Sequence, residues 1–300
     1  MKHYDAVVIG GGPAGMNAAL NLKRMGKTVL ILEREAFGGQ IATSPRVENL
    51  PGIESISGAD FSDKFFTQIM DIGVEFELEE AKEIRKDELF YIKTDYNEYS
   101  AKTVFLACGV KHRHIGVARE EELTGKGVSY CAVCDGAFYK DEDVAVIGDA
   151  NSALQYALML ANYCKKVHLC MLFDRYFADK VLIERVESNP VIEVHKEISL
   201  KEFQGEDELE GLLFNKVKTN EPFEVKVKAV FIAIGQVPSN EAFAEFVDLK
   251  NGYILTDENM ETKTPGLYAI GDCRFKAYRQ VSTAVNDGTI AAIHASNTKF

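Results

Sequence analysis

The chain opens with a compact, β-branched-rich run from Tyr4 to Ile9, uninterrupted by polar residues after Asp5. It then passes into Gly10-Gly11-Gly12-Pro13-Ala14-Gly15 and continues with a helical pattern to about Met25. A continuous apolar run, rather than a strict alternation, predicts a buried parallel strand. Lys27 to Glu33 is a second such run and ends in an acid about 20 positions beyond the turn, which completes a βαβ unit. In such a unit the glycine turn cradles a dinucleotide pyrophosphate at the helix start, and the closing acid reaches a ribose. The plainer alternative is a turn that only lets a helix pack closely on a sheet.

The pattern recurs. Asp143-Val144-Ala145-Val146-Ile147-Gly148 echoes Asp5-Ala6-Val7-Val8-Ile9-Gly10 and precedes a helical stretch from Ser152 to Tyr163. Val104-Phe105-Leu106-Ala107-Cys108-Gly109 is echoed by Val230-Phe231-Ile232-Ala233-Ile234-Gly235. The segments after these strands, Lys111 to His114 and Gln236 to Asn240, are expected to be exposed crossings between domains. Near the end, Thr264 to Asp272 predicts a turn and a short buried strand closed by an acid, and Gln280 to Ala295 predicts a helix. Asp272 fits either a cofactor's sugar-alcohol hydroxyls or a plain cap or turn aspartate. The fold class is therefore α/β, with two Rossmann-like dinucleotide-binding domains, the second inserted into the first. The expected boundaries are 1–112 with 241–300 for the first domain and 113–240 for the second.

Composition narrows the function. The chain has 300 residues, 46% apolar and 27% charged, enough for two globular domains. Its formal charge of −12 repels a nucleic-acid backbone, and no apolar stretch is long enough to cross a bilayer. The expected partners exclude nucleic acid and membrane, and the expected location is cytoplasmic.

Among six cysteines, Cys131-Ala132-Val133-Cys134 is the one close pair. Zinc would need a second pair or a Cys/His partner at ligand spacing, and the remaining cysteines and scattered histidines suggest none, so no metal ligand is assigned. Beside a βαβ pattern, the spacing reads as a redox pair. Asp135 next to it can shuttle a proton as the dithiol forms or breaks, or is an ordinary turn residue.

The set GGGPAG at Gly10–Gly15, Gly38-Gly39-Gln40, VENLPG at Val47–Gly52, CAVCDG at Cys131–Gly136, TPGLYAIGD at Thr264–Asp272 and Arg279-Gln280-Val281 resembles the low-molecular-weight thioredoxin reductases, from end to end and in motif order. The resemblance implies FAD on the first domain, held by Gly10, Gly12, Pro13, Ala14, Gly15, Glu33, Gly39, Gln40, Asn49, Gly271, Asp272, Arg279, Gln280 and Val281. Gly12 and Gly15 would lie at the pyrophosphate and Glu33 on the adenosine ribose. Gln40 and Asn49 would be near the flavin, Asp272 on the ribityl-phosphate arm, and Gln280 and Val281 at the isoalloxazine edge. It further implies a homodimer, thioredoxin as partner, Cys134 as the sulfur nearest the flavin, Cys131 as the attacking sulfur, and Asp135 as acid/base.

The sequence departs from that family in the second domain. Where a GxGxxA turn would hold NADPH, the residues are Gly148-Asp149-Ala150-Asn151-Ser152-Ala153, with a methyl at the position of closest approach and a carboxylate beside it. Where a His-Arg-Arg run and a further Arg would grip the 2′-phosphate, the chain has Met171, Leu172, Phe173 and Phe177, leaving only Arg175, displaced by one residue. This combination resembles the ferredoxin-dependent flavin thioredoxin reductases. Plant-type ferredoxins near −400 mV and thioredoxin near −270 mV leave about 130 mV, or roughly 6 kcal/mol over two electrons, in the required direction. A ferredoxin, generally acidic, would need a basic surface here: Lys111, His112, Arg113 and His114 form one candidate, and Arg274, Lys276 and Arg279 another. The alternatives are an NAD(P)H-dependent thioredoxin reductase, a reductase with another donor, or a flavin-bearing redox sensor or binding module without turnover.

Overall fold

The computed structural model describes residues 1–44 and 47–300. They form two compact units: Met1–Lys111 with Val237–Phe300, and His112–Gln236, which interrupts the first along the chain. Sequence pattern places the crossings after residues 112 and 240; the units divide after Lys111 and Gln236.

In the first unit the strand Lys2–Ile9 lies between Val29–Leu32 and Glu98–Leu106, parallel to both. Glu75–Glu77 extends the sheet on one side; Phe90–Lys93 and Glu83–Lys86 extend it antiparallel on the other. The long strand Glu98–Leu106 divides its pairing. Its first half, to Ala101, faces Phe90–Lys93, and Val104–Leu106 pair in parallel with the late strand Leu267–Ala269. All four residues of Val29–Leu32 are buried, as expected of strands covered on both faces.

The helix Pro13–Arg24 begins directly after the first glycine turn. Proline in its first turn needs no N–H partner, and Lys23 and Arg24 complement the carbonyl end. It packs on the last helix, Val281–Thr298, where the buried Asn17 amide donates to Val285 O and Thr289 Oγ1, both at 2.7 Å. That helix continues past the expected end at Ala295, and Gln280 is its N-cap, in a capping box with Thr283.

The second unit carries a parallel sheet in the order Ile192–His195, Lys166–Cys170, Asp143–Ile147, Ala229–Ile232, Val128–Ser129. The helix Asn151–Leu160 follows the second turn and stops short of Tyr163. An antiparallel sheet of Ile198–Gln204, Gly211–Lys216 and Pro222–Lys226 completes the unit. The echo seen in sequence is a structural one. Gly10 (φ +113°) and Gly148 (φ +147°) both occupy positive-φ turns, and a Cβ there would stand 2.3 Å from Ala107 O and 2.5 Å from Ala233 O. Each first-echo strand thus ends pressed against the end of its second-echo neighbour.

The crossings are less exposed than expected. His112 is half-buried and stacks on Tyr130 with ring centroids 4.9 Å apart. Asn240 is fully buried, its amide donating to Gly252 O and Cys273 O, both at 2.9 Å. Its polarity serves an internal hydrogen-bond need rather than solvent. Among the described residues no helix is long and apolar enough to cross a membrane.

Candidate functional site

Around the first turn, Gly11 N donates to Glu33 Oε2 at 2.7 Å and Glu35 N donates to Oε1 at 2.8 Å, which fixes the closing carboxylate beside the turn. Gly12 is the N-cap of Pro13–Arg24, with extended φ −76° and ψ 179° and no side-chain cap. A Cβ at Gly12 would meet nothing within 4 Å. Glycine at this position therefore leaves open space at a helix start, where a phosphate can approach the backbone N–H groups. Gly15 serves packing instead: a Cβ there would fall 2.0 Å from Gly10 O. Gly39 lies in the short helical turn Gly39–Thr43, and the neighbouring Gln40 amide donates to Val110 O.

From the late part of the same unit, Gly271, Asp272 and Cys273 form a single helical turn. One carboxylate oxygen of Asp272, Oδ1, is buried without a hydrogen-bond partner among the described residues. Lys276 Nζ is a charge neighbour at 3.4 Å, outside hydrogen-bonding geometry. Burial pushes the Asp272 carboxyl above its ordinary range, against the pull of Lys276. An orphaned acceptor of this kind fits a ligand hydroxyl. Asn49 Nδ2 donates to Gln280 Oε1 at 3.1 Å, joining two expected cofactor residues, and Val281 opens the helix behind them. Arg279 Nε donates to Asp272 O at 3.4 Å, and its guanidinium lies 4.1 Å from the Tyr253 ring centroid. Open backbone at Gly12, the fixed Glu33 carboxylate and the waiting Asp272 oxygen together fit FAD.

The structure corrects one expected basic surface. Arg274 and Lys276 have side chains only 17% and 8% exposed, and both bind Asp287, itself 4% exposed. Asp287 also accepts Gly271 N at 3.1 Å. These cations hold the turn that carries Asp272; they are not a free docking patch. Asp287 went unread in the sequence, although an acid inside the apolar run of Val281–Thr298 is the signal that marks it. On the other expected surface, Lys111 and Arg113 are exposed, with Lys111 Nζ 3.3 Å from Glu35 Oε1. Burial lowers His112 to about 4, so it contributes no charge at neutral pH.

In the second unit Cys131 and Cys134 are joined in a disulfide, their Cα atoms 5.3 Å apart, at the start of the single turn Ala132–Asp135. Ser129 Oγ donates to Asp135 Oδ2 at 2.6 Å and accepts Cys131 N at 3.1 Å. Asp135 Oδ1 is buried and unpartnered. Burial raises its carboxyl, with the Ser129 bond opposing, so the carboxyl holds a proton more readily than an exposed aspartate. The next residue, Gly136, touches the neighbouring helical region so closely that a Cβ would lie 2.5 Å from the Tyr163 hydroxyl oxygen. This contact fixes the backbone immediately behind the acid.

The second glycine turn is tied to the segment that follows the next strand. Ala150 bridges to Phe177, Phe177 N donates to Asp149 O at 2.8 Å, and Asn151 and Asp179 exchange two hydrogen bonds of 2.8 and 3.0 Å. Burial raises the Asp149 carboxyl. Arg175 lies over the Phe177 ring at 4.9 Å, and Phe173 meets the same ring edge-on at 5.4 Å. The remaining cation is thus stacked on an aromatic face.

Sequence reasoning also missed His168, Glu193 and His195, whose donor atoms lie within 4.8 Å of one another. Adjacent parallel strands bring them together through the register His168↔Glu193 and Cys170↔His195.

The family described as pyridine nucleotide-disulphide oxidoreductase matches residues 4–288. The chain is 40% identical to a thioredoxin reductase of Ureaplasma parvum over 295 residues, covering 97% of this chain and 96% of the relative. The crystal structure of thioredoxin reductase from Streptococcus pyogenes superposes with a TM-score of 0.95 at 37% identity, covering 99% of each chain. A ferredoxin-flavin thioredoxin reductase from Clostridium acetobutylicum is also similar, with a TM-score of 0.54 at 30% identity, covering 99% of this chain and 98% of that one.

Proposed function

This chain belongs to the pyridine nucleotide-disulphide oxidoreductase family and is an FAD-binding disulfide oxidoreductase of the thioredoxin reductase type; from that premise we propose that it reduces thioredoxin with electrons from reduced ferredoxin. The observation that carries the donor assignment is the second turn, where Ala150 places a methyl at the helix start and is bridged by Phe177, and where Phe173 and Phe177 stand in place of phosphate-gripping cations.

FAD, when bound, supplies exchange between one-electron donors and a two-electron dithiol couple. In the first unit the open helix start at Gly12 and Ala14 would hold its pyrophosphate, with Gly10 and Gly15 packing the turn and Pro13 opening the helix, Glu33 would contact the adenosine ribose, and Asp272 would accept from its ribityl arm. Gly39, Gln40, Asn49, Gly271, Arg279, Gln280 and Val281 complete that set. In the second unit, once the pair is reduced, the Cys131 thiolate attacks one sulfur of the thioredoxin disulfide. The other thioredoxin sulfur leaves as a thiolate and takes a proton. Cys134 then attacks Cys131, re-forming their bond and releasing the second thioredoxin thiolate. Asp135, protonated more readily than an exposed aspartate, holds the proton beside this exchange. Lys111 and Arg113 are the remaining basic residues for ferredoxin. The homodimer and the cytoplasmic setting follow the family resemblance, with four unpaired cysteines suiting a reducing compartment.

A second reading, a pyridine-nucleotide donor, is favoured by relatives named simply thioredoxin reductase. Anaerobic addition of each donor to the oxidised flavoprotein separates the two. Reduced ferredoxin should bleach the flavin band quickly and support thioredoxin reduction, while NADPH and NADH leave the band in place. Rapid bleaching by either nucleotide, with turnover, overturns the ferredoxin donor and leaves the disulfide reductase standing.

A further inference from the structure

The strands Lys166–Cys170 and Ile192–His195 lie side by side at the edge of the second unit's parallel sheet. Alternation sends His168, Glu193 and His195 to one face. His168 Nδ1 stands 3.0 Å from His195 Nε2, and Glu193 Oε1 stands 3.7 Å from that same Nε2. In a tetrahedral zinc site, with metal–nitrogen distances of about 2.0–2.1 Å, neighbouring ligand atoms are about 3.3 Å apart, so both separations match donors around one ion. Among the described residues this is the one grouping of three such donors.

We infer that His168, Glu193 and His195 form a binding site for one divalent transition-metal ion of the zinc class. Two imidazoles and one carboxylate are the donors that borderline cations prefer, and three protein ligands leave a fourth position for water. The surroundings orient them. Glu193 uses Oε2 to bind Lys166, which leaves Oε1 turned toward His195, and the Phe223 ring lies 5.0 Å from the His195 ring. His195 has a side chain 11% exposed and Glu193 one 47% exposed, so the cluster has a sheltered floor and an entrance from solvent. Whichever ring donates in this contact would carry its proton on its far nitrogen once the ion takes its place, with no change in net protonation. The bound ion would fasten the edge strand to its neighbour, with no part in the disulfide chemistry.

The test uses the full-length flavoprotein, stripped of metal by a chelator and kept oxidised so that the Cys131–Cys134 thiols cannot compete. Titration with Zn²⁺ by calorimetry should show one saturable equivalent and a raised melting temperature. Loss of an outer-shell partner typically costs about 10–100-fold in metal affinity, so removing a ligand should cost at least about 100-fold. His195→Ala and Glu193→Gln should each weaken binding by that much with the flavin spectrum unchanged, and His3→Ala should bind as the parent does. Should His195→Ala fail to fold, Glu193→Gln at the solvent-facing ligand carries the decision. Absence of saturable binding, or binding of parental strength in Glu193→Gln, overturns the site.

Discussion

The two glycine turns share a backbone and differ in what stands in front of it. Gly12 and Ala150 are both helix N-caps in extended conformation, at φ −76° and −108°, which any residue adopts. Alanine at 150 therefore costs the fold nothing. What changes is access: space is open at Gly12, whereas Ala150 carries a methyl and is bridged by Phe177. The glycines that define the turn, Gly10 and Gly148, are retained in both because a side chain there would strike a carbonyl oxygen. A duplicated fold thus keeps the glycines its packing requires and can lose the one a ligand requires.

Three changes would break or sharpen this contrast. The largest effect is expected from Gly12→Val, which should leave the far-ultraviolet circular dichroism unchanged yet cut flavin affinity by about 100-fold or more through lost backbone–phosphate bonds. A variant retaining full flavin would show that the open space is not the cofactor's, and an unfolded one that the position is not open. Next comes the reverse operation in the second turn. Ala150→Gly combined with Phe177→Arg should tighten NADPH binding by about 10-fold, measured by fluorescence titration, because one guanidinium–phosphate contact is restored. No gain would mean that the strap through Asn151 and Asp179, rather than the two side chains, closes the cleft.

An effect no larger concerns Asp272. Removing one charged acceptor should weaken flavin binding about 10-fold in Asp272→Asn. Its pH dependence has a definite sign. The carboxyl's folded-state pKa lies above its unfolded value, so protonation favours the folded flavin-free protein. That protein loses stability as pH rises from the ordinary aspartate range through the raised value. Chemical denaturation across this window should show a smaller loss in Asp272→Asn than in the parent, the remainder coming from Asp135 and Asp149, whose carboxyls burial also raises.

Much of the fold was legible because its signals are local. Uninterrupted apolar runs followed by glycine marked both βαβ starts, and the paired echoes marked the second as a copy placed inside the first. Helix ends moved by a few residues, where capping by Gln280 and the stop at Leu160 depend on tertiary surroundings. The Cys131–Cys134 pair was readable from its spacing together with the neighbouring βαβ pattern and the lack of further ligands at zinc spacing. Contacts that depend on register or on chain return were not. His168 and His195 meet only because two parallel strands align them, Phe177 reaches Asp149 only through a strap, and Arg274 and Lys276 look like surface cations until Asp287 is seen beneath them.

The divided pairing of Glu98–Leu106 bears on biosynthesis. During translation both edges of its first half can pair as soon as it leaves the ribosome, whereas Val104–Leu106 can pair with Val7–Ile9 on one edge but must wait on the other for Leu267–Ala269, which emerges only after the whole intervening unit. Since Asp272 follows directly on that late strand, a nascent chain has the glycine turn long before it has the acid opposite. With the role proposed for Asp272, prosthetic-group capture would be postponed to the final stage of synthesis, when the inserted unit has already had time to fold.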